Sequence, residues 1–434
     1  MCGNAYTVLI EGAGFQNRGA WLMLESTIAA VRKFAPGAVV ALPNGIYESN
    51  RVWCRQHDVR PFYDSSSNGG IVLLNLYRML GKIMRCSMPA SEQDIDLLLD
   101  AAGYKYTDKF GDLSEAAIRR QVAHYGRIAS HRGRIVLLPQ AFGPISDETI
   151  IRMYKECEPY LSRVYARDDE SLRALGEIAD KKSIVGHAPD FTCLFKADGV
   201  SLRRFALDQT YAVVVPNIRM ITHVGKADAD KYRAFIVSVV DSLSGKGLQV
   251  VLLNHGGAED EGLIREVKDA SRYPDKVVCI NDATAEECKA IISKALLLMS
   301  SRFHGVVSGL VQKVPTFCTS WSHKYERLLE DYDLSANCLD AGDVKSSIAK
   351  LLDALDNPGS YSASDEKLGD VTHKVDCMWK EIFKDVTGCS ATGKMGKPYG
   401  SACRWKVADF LLRMCILTPL KMIRRMVRRP TPNA

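Results

Sequence analysis

Ala295-Leu-Leu-Leu-Met-Ser-Ser-Arg302-Phe-His304-Gly305 reads as a buried strand that ends on two polar side chains and a glycine. Side chains alternate along a strand, so Arg302 and His304, at i and i+2, are expected on one face while Phe303 turns towards the core. A helix is expected to start near Val306 and to present its free N–H groups to an anion. In open α/β sheets ligands bind beyond the carboxyl ends of the strands, and Gly305 would let backbone approach such a ligand closely. An arginine, a histidine and a helix N-terminus together suit a phosphorylated ligand.

Outward from this segment, the same alternation repeats. Short apolar runs at Tyr211–Val215, Gln249–Leu253, Lys276–Ile280, Ala295–Met299 and Val314–Cys318 are separated by helical patterns at Ala229–Leu243, Asp260–Ala270 and Ala285–Lys294. The last is opened by Thr284 with Glu287 three residues on, a capping-box spacing. An earlier series has strands at Tyr6–Ile10, Ala38–Leu42, Ile95–Leu99, Arg134–Leu138 and Val164–Ala166, with helices at Ala20–Lys33 and Asp147–Cys157. Strand and helix in alternation predict doubly wound parallel sheets covered on both faces. Two α/β, Rossmann-like domains facing a cleft are expected, over residues 1–200 and 201–345, with the turn-rich Lys196–Ser201 between them. A helical segment over 346–386 is expected to pack back on the body, followed by a Gly/Ser/Thr/Lys-rich linker over 387–401 and a basic amphipathic tail over 402–434.

Composition supports a globular protein: 434 residues, 47% hydrophobic and 25% charged. The net charge of +6 is unevenly placed, because residues 404–429 hold eight Lys/Arg against Asp409 alone, leaving 49 basic and 50 acidic side chains elsewhere. The main body therefore lacks a nucleic-acid footprint. Thirteen cysteines, an odd number without any C-x-x-C pair, suggest neither a disulfide framework nor a thiolate zinc site, and fit a reducing cytoplasm. Tyr6–Ile10 follows no basic, secretory-type leader, so no export signal is expected. In the tail, Arg413, Pro419 and Lys421 interrupt the apolar run from Trp405 to Ile423, short of the roughly 20 residues needed to span a bilayer. Its Trp, Phe and Leu residues with many arginines predict an interfacial helix on anionic lipid, and hence a peripheral place on the inner face of the cell membrane. The plain alternative is a solvated basic tail.

Further candidate ligand-binding residues lie at strand ends. Arg219 follows Tyr211–Val215, and a guanidinium fork matches carboxylate or phosphate, so with Arg302 it could hold a small dianion at both ends. Gly12, Gly14 and Asn17 form a strand-to-helix turn that lacks the third glycine of a dinucleotide fingerprint. Gln140, Asp190 and His255 also follow strands and are expected to line the same cleft, although a turn, a cap and a surface histidine would explain them equally. No H-E-x-x-H, EF-hand or Walker A pattern is present, and three D-x-D matches are too short to mean much. No required metal and no bound cofactor are expected.

In order along the chain, Gly12-x-Gly14-x-x-Asn17, Leu137-Leu-Pro-Gln-Ala-Phe-Gly-Pro144, Arg167-Asp168-x-x-Ser171-x-x-Leu175 and Pro189-Asp190 precede Ser301-Arg302-Phe-His304-Gly-x-x-x-Gly, Val314-Pro315 and Ser322-His-Lys324-Tyr-x-x-Leu. This succession, over about residues 6–335, resembles the polysaccharide pyruvyl transferase family. The resemblance implies a glycosyltransferase-B-like fold and transfer of a pyruvyl group from phosphoenolpyruvate to a sugar of a cell-surface polysaccharide or its lipid-linked precursor. It implies His304 as the acid, Arg302 and Arg219 as holders of phosphate and carboxylate, Lys324 as their helper and Gly305 beside the donor. The second domain would then be the donor side and the first the acceptor side. Departures fall in the first domain, where Arg18-Gly19-Ala20 replaces a common Gly-Asp and Ala101-Ala102-Gly103 a glycine run, so the acceptor sugar stays open. Two alternatives share the fold pattern: a nucleotide-sugar-dependent glycosyltransferase and an inactive sugar-binding protein.

Overall fold

Val8–Ile10, Leu97–Leu99 and Ile135–Leu138 are wholly buried, as are Ala212–Val215 and Val250–Leu253. Such continuous apolar runs, with no polar face, are what a parallel sheet covered on both sides requires. The computed structural model describes residues 6–64, 89–108, 113–208, 210–319 and 324–390. Within these, two parallel sheets form. The first contains β1 (Thr7–Glu11), β2 (Val39–Pro43), β3 (Val59–Phe62), β4 (Leu97–Asp100), β5 (Arg134–Gln140), β6 (Arg163–Ala166) and β7 (Val185–His187), in the order β3-β2-β1-β4-β5-β6-β7. The second contains β8 (Tyr211–Val215), β9 (Gln249–Leu253), β10 (Val277–Ile280), β11 (Leu298–Ser300), β12 (Thr316–Thr319) and β13 (Cys338–Leu339), in the order β10-β9-β8-β11-β12-β13. The strand order reverses between β1 and β4 in one sheet and between β8 and β11 in the other. Those two switch points are where such sheets open a ligand crevice.

Helices cover both faces, as expected, and their ends follow local chemistry. Asn17 caps helix Arg18–Phe34, its Oδ1 accepting from the Ala20 N–H at 2.8 Å. Thr284 and Glu287 form the predicted capping box on helix Ala285–Ser293. The strands β3, β7 and β13 escape the sequence reading because Val-Arg-Pro-Phe, Val-Gly-His and Cys-Leu are short and carry little apolar signal. Helix Asp365–Ser390 runs four residues into the stretch expected as linker. Residues 391–434, including the tail expected to bind membranes, lie outside the described residues. No described helix is long and apolar enough to cross a membrane.

The two sheets are joined by more than the chain. Arg18, opening the first long helix, donates from Nε to the Ala283 carbonyl at 2.6 Å and from Nη2 to the Asn281 carbonyl at 2.8 Å. Lys289, 1% exposed, reaches from helix Ala285–Ser293 to donate to the Thr192 carbonyl at 2.9 Å. Helix Asp365–Ser390 then returns to the first domain. Its Trp379 meets Phe191 edge-on at 5.9 Å, its Phe383 stacks on Phe34 at 6.0 Å, and its Glu381 accepts from Tyr165 and Arg163, each at 2.9 Å.

Candidate active site

A cleft of about 620 Å³ opens where the two switch points face one another. From the first domain Gly12 and Asn17 line it at the end of β1, and Gly103 and Tyr104 beyond β4. The second domain supplies Asn217 and Arg219 beyond β8, His255 beyond β9, and Arg302 and His304 beyond β11. Lys324 and Tyr325, at the start of helix Lys324–Glu330, close one side. Among the described lining residues there is no Asp or Glu, against four Arg or Lys, so the field inside favours an anion.

The geometry around β11 differs from the sequence expectation. The strand ends at Ser300; Arg302 is the N-cap of helix Phe303–Leu310, and His304 lies in that helix's first turn. The i, i+2 rule for strands therefore does not place them. Phe303 is packed into the core, as expected, but also lines the cleft, under the Arg167 guanidinium at 4.1 Å. Ser300 shapes this turn, its Oγ donating to the Arg302 carbonyl at 2.8 Å and accepting from the Arg302 N–H at 3.1 Å. Gly305 is buried behind the cleft rather than beside a ligand, because a β-carbon there would strike the Ser300 hydroxyl.

Arg302 is held rigidly. Its Nε and Nη2 donate to Asp260 Oδ2 and Oδ1 at 2.9 and 2.5 Å, and Asp260 is wholly buried. The bidentate pair crosses Gly256, where a β-carbon would collide with both partners. Arg219 is freer: its side chain is 42% exposed, with Nη1 3.1 Å from His223 Nε2 and Nη2 3.9 Å from Glu259. Lys324 sits over the rings of Tyr104, Tyr325 and Phe303 at 5.1, 5.6 and 5.8 Å. The cation–π field keeps its ammonium in place at the cleft edge.

His304 points across the domain boundary. Its Nε2 lies 3.4 Å from Asp190 Oδ2, close enough for an ion pair but not aligned as a hydrogen bond. Asp190 also faces Arg167 Nη1 at 3.7 Å. Burial would raise the Asp190 carboxyl, but His304 and then Arg167 outweigh it and hold the group well below the usual carboxylate range. His255 goes the other way: burial first, then the charges of His304, Arg302 and Arg18, push it well below the usual imidazole value, so it stays neutral.

Of the sequence-predicted residues, the cleft gathers His304, Arg302, Arg219, Lys324, Gly12, Asn17 and His255. Gly12 earns its place through geometry, since φ is +75° and the chain of Ala102 presses on the space a β-carbon would fill. Gly14 lies off the lining, behind the Gln16 side chain and Ile46. Gln140 and Asp190 are buried beneath the cleft rather than lining it; Gln140 turns a fully buried amide without a hydrogen-bond partner inwards, and Asp190 backs His304. Sequence reasoning singled out neither Arg167 nor Asn217 as site residues, and reached Tyr104 and Gly19 only as members of the Asp100–Asp108 loop and the Glu11–Gly19 turn. Arg167 stood in a quoted motif at the end of a strand, and that position was the available signal.

Asp64, Glu92 and His124 bring ligand-type atoms within 4.8 Å of one another. Arg127 already meets two of them, Glu92 at 3.0 Å and Asp64 at 2.9 Å, while His124 pairs with Glu11 at 2.9 Å. A guanidinium at that spot does the work a cation would do.

Comparison with known families decides the affiliation: the sequence profile described as polysaccharide pyruvyl transferase matches residues 17–323. The chain belongs to that family. Polysaccharide pyruvyl transferases are transferases, and the match covers both sheets except β1 and β13, and every cleft residue named above except Gly12, Lys324 and Tyr325. A comparison with curated proteins gives no match. Among solved structures, UDP-GlcNAc 2-epimerase of Methanocaldococcus jannaschii superposes with TM-score 0.56 at 10% identity, covering 88% of this chain and 99% of that one. Anabaena Alr3699/HepE, in complex with UDP and glucose, gives 0.54 at 13% identity, covering 88% and 99%. At such identities the likeness speaks for the fold alone, a glycosyltransferase-B-like pair of domains, as the sequence had led us to expect.

Proposed function

We propose that this pyruvyl transferase takes its pyruvyl group from phosphoenolpyruvate and places it as a ketal on two hydroxyls of a sugar, releasing phosphate. The observation that supports this most is the meeting of His304, Arg302, Arg219 and Lys324 in one anion-favouring cleft. Protonation of the methylene carbon by His304 turns it into a methyl group and leaves a cation at the adjacent carbon. One sugar hydroxyl adds there. The bond to phosphate oxygen then breaks as the second hydroxyl closes the ring, so one hydroxyl proton replaces that given by His304 and the other leaves with phosphate. Arg302, fixed by Asp260, and Arg219 hold carboxylate and phosphate, with Lys324 assisting at the edge. Phosphoenolpyruvate is a co-substrate, and these steps call on no separate cofactor or metal.

The cleft is larger than a three-carbon donor needs, and the first-domain wall at Gly12, Asn17 and Tyr104 is left for the sugar. The basic residues of 402–434 fit docking on the cytoplasmic face of the membrane, beside a lipid-linked saccharide. Phosphate release from phosphoenolpyruvate with lipid-linked and nucleotide-linked sugars, by wild type and His304→Ala, tests the reading. Acceptor-dependent release lost in the variant supports it; full turnover by His304→Ala sinks the acid assignment. Saturable binding of a nucleotide sugar with indifference to phosphoenolpyruvate would instead mean glycosyl transfer, the use suggested by the UDP and glucose bound to HepE. Ligand binding without any phosphate release would mean an inactive binding protein. Equal binding to anionic vesicles after truncation at Ser401 would remove the membrane part.

A further inference from the structure

We infer that Asp190, supplied by the first domain, is the positioning residue that orients the His304 ring and holds its proton. The inference rests on reading His304 as the acid. Asp190 is 5% exposed, and one of its two oxygens is committed to local structure: Oδ1 accepts from the Thr192 N–H at 3.0 Å and from the Thr192 hydroxyl at 2.5 Å. That cap fixes the carboxylate rotamer and turns Oδ2 to His304 Nε2 at 3.4 Å. The other ring nitrogen, Nδ1, lies beside Gly19, which lines the cleft. With Nε2 given to Asp190, Nδ1 is the atom left to meet the methylene carbon.

The charges around the ring show why a carboxylate is needed there. Arg302 precedes it on its own element, Arg167 comes from beyond β6, Lys324 from the opposite cleft edge, and His255, kept neutral, from beyond β9. Lys289 stands further back, donating to the carbonyl of Thr192. These neighbours are cationic or neutral, so none of them supplies a counter-charge to the ring. The second nearby carboxylate, Asp260, is spent on Arg302. Asp190 is thus the carboxylate left to face His304, with Oδ2 3.4 Å from Nε2.

A cap alone would also explain Asp190, and the two roles use different oxygens. Asp190→Asn keeps an oxygen for Thr192 and removes the charge opposite Nε2. In the full-length chain we expect the NMR titration midpoint of the His304 ring, assigned with His304→Gln, to fall by about one to two pH units. The high-pH limb of kcat should fall with it, while KM for phosphoenolpyruvate stays within about threefold. An unchanged midpoint in folded Asp190→Asn overturns the inference and leaves Asp190 a cap. Asp190→Ser, also a good cap, serves as the second variant if Asn does not fold. The titration needs no turnover, so it stands apart from the acid assignment: a shifted midpoint with His304→Ala fully active would retain the pairing and discard the acid.

Discussion

Gly19 and His304 belong to different domains, yet a β-carbon on Gly19 would stand 2.5 Å from His304 Nδ1. No side chain fits between the first long helix and the imidazole. In a helix, Gly→Ala ordinarily gains about 1 kcal/mol from propensity, so Gly19→Ala should melt no lower than about the wild type while the displaced ring loses its alignment. A fall in kcat of about a hundredfold is expected from a misplacement of that order. Turnover measured beside a thermal melt checks it; wild-type kcat would mean that the ring works from elsewhere.

The two cleft arginines should respond differently to truncation. Arg302→Ala leaves Asp260 buried without its cation, a loss on the order of 3–5 kcal/mol. Arg219, 42% exposed, has no such partner, so Arg219→Ala should keep wild-type stability and raise KM for phosphoenolpyruvate at least about tenfold. Denaturant unfolding together with steady-state kinetics separates the two. Equal destabilisation by both variants would contradict the buried-pair account.

Glu25, on the first long helix, makes stability depend on pH. Burial, then the charge of Glu286 across the domain boundary, pushes its carboxyl from 4.5 up to about 8, and Trp21 and Trp53 offset only part of this. The folded state therefore keeps a proton that the unfolded chain loses at about pH 4.5. Stability from this group is full below that pH and is lost progressively as pH rises to about 8. Glu25→Gln should remove the slope and be more stable than wild type at pH 9 by a few kcal/mol, each pKa unit being worth about 1.4 kcal/mol. Urea unfolding at pH 5 and pH 9 measures it, and parallel curves would count against it.

Arg18 couples the domains through two carbonyls, of Ala283 and Asn281. Hydrogen bonds from a charged donor are worth about 1.5–3 kcal/mol, and the carbonyls are left short of a partner when it goes. Arg18→Met should lower the first calorimetric transition and broaden a single melt into two. A single sharp transition at the wild-type temperature would show that the other interdomain contacts suffice.

Both sheets were legible from sequence because their strands are buried on two faces and written as unbroken Val, Leu and Ile. The edge strands β3, β7 and β13 were not, being very short or broken by Arg, Pro, Gly and His, whereas β10, also an edge, is an apolar Val-Val-Cys-Ile run and was legible. Around the site the residue types were readable but their geometry was not. Arg302 and His304 were found by chemistry at a strand end, yet the chain leaves β11 at Ser300, four residues short of His304, and the Ser300 hydroxyl folds back on Arg302. Asp190 looked like a cleft residue until its partner across the domain boundary was known. Gly19 stood out only as part of a glycine-containing turn, because only the folded chain brings His304 against it.

The first domain is also the last to be finished. Phe34 and Phe191 wait for Phe383 and Trp379, almost two hundred residues or more further along the chain. A ribosome makes protein from its N-terminus, and the leading domain ordinarily folds while the rest is still being translated. Here that early start leaves an apolar face open until the second sheet has been made and helix Asp365–Ser390 has emerged. Nascent chains stalled before residue 365 should therefore expose this face to chaperones, and the two halves mature together.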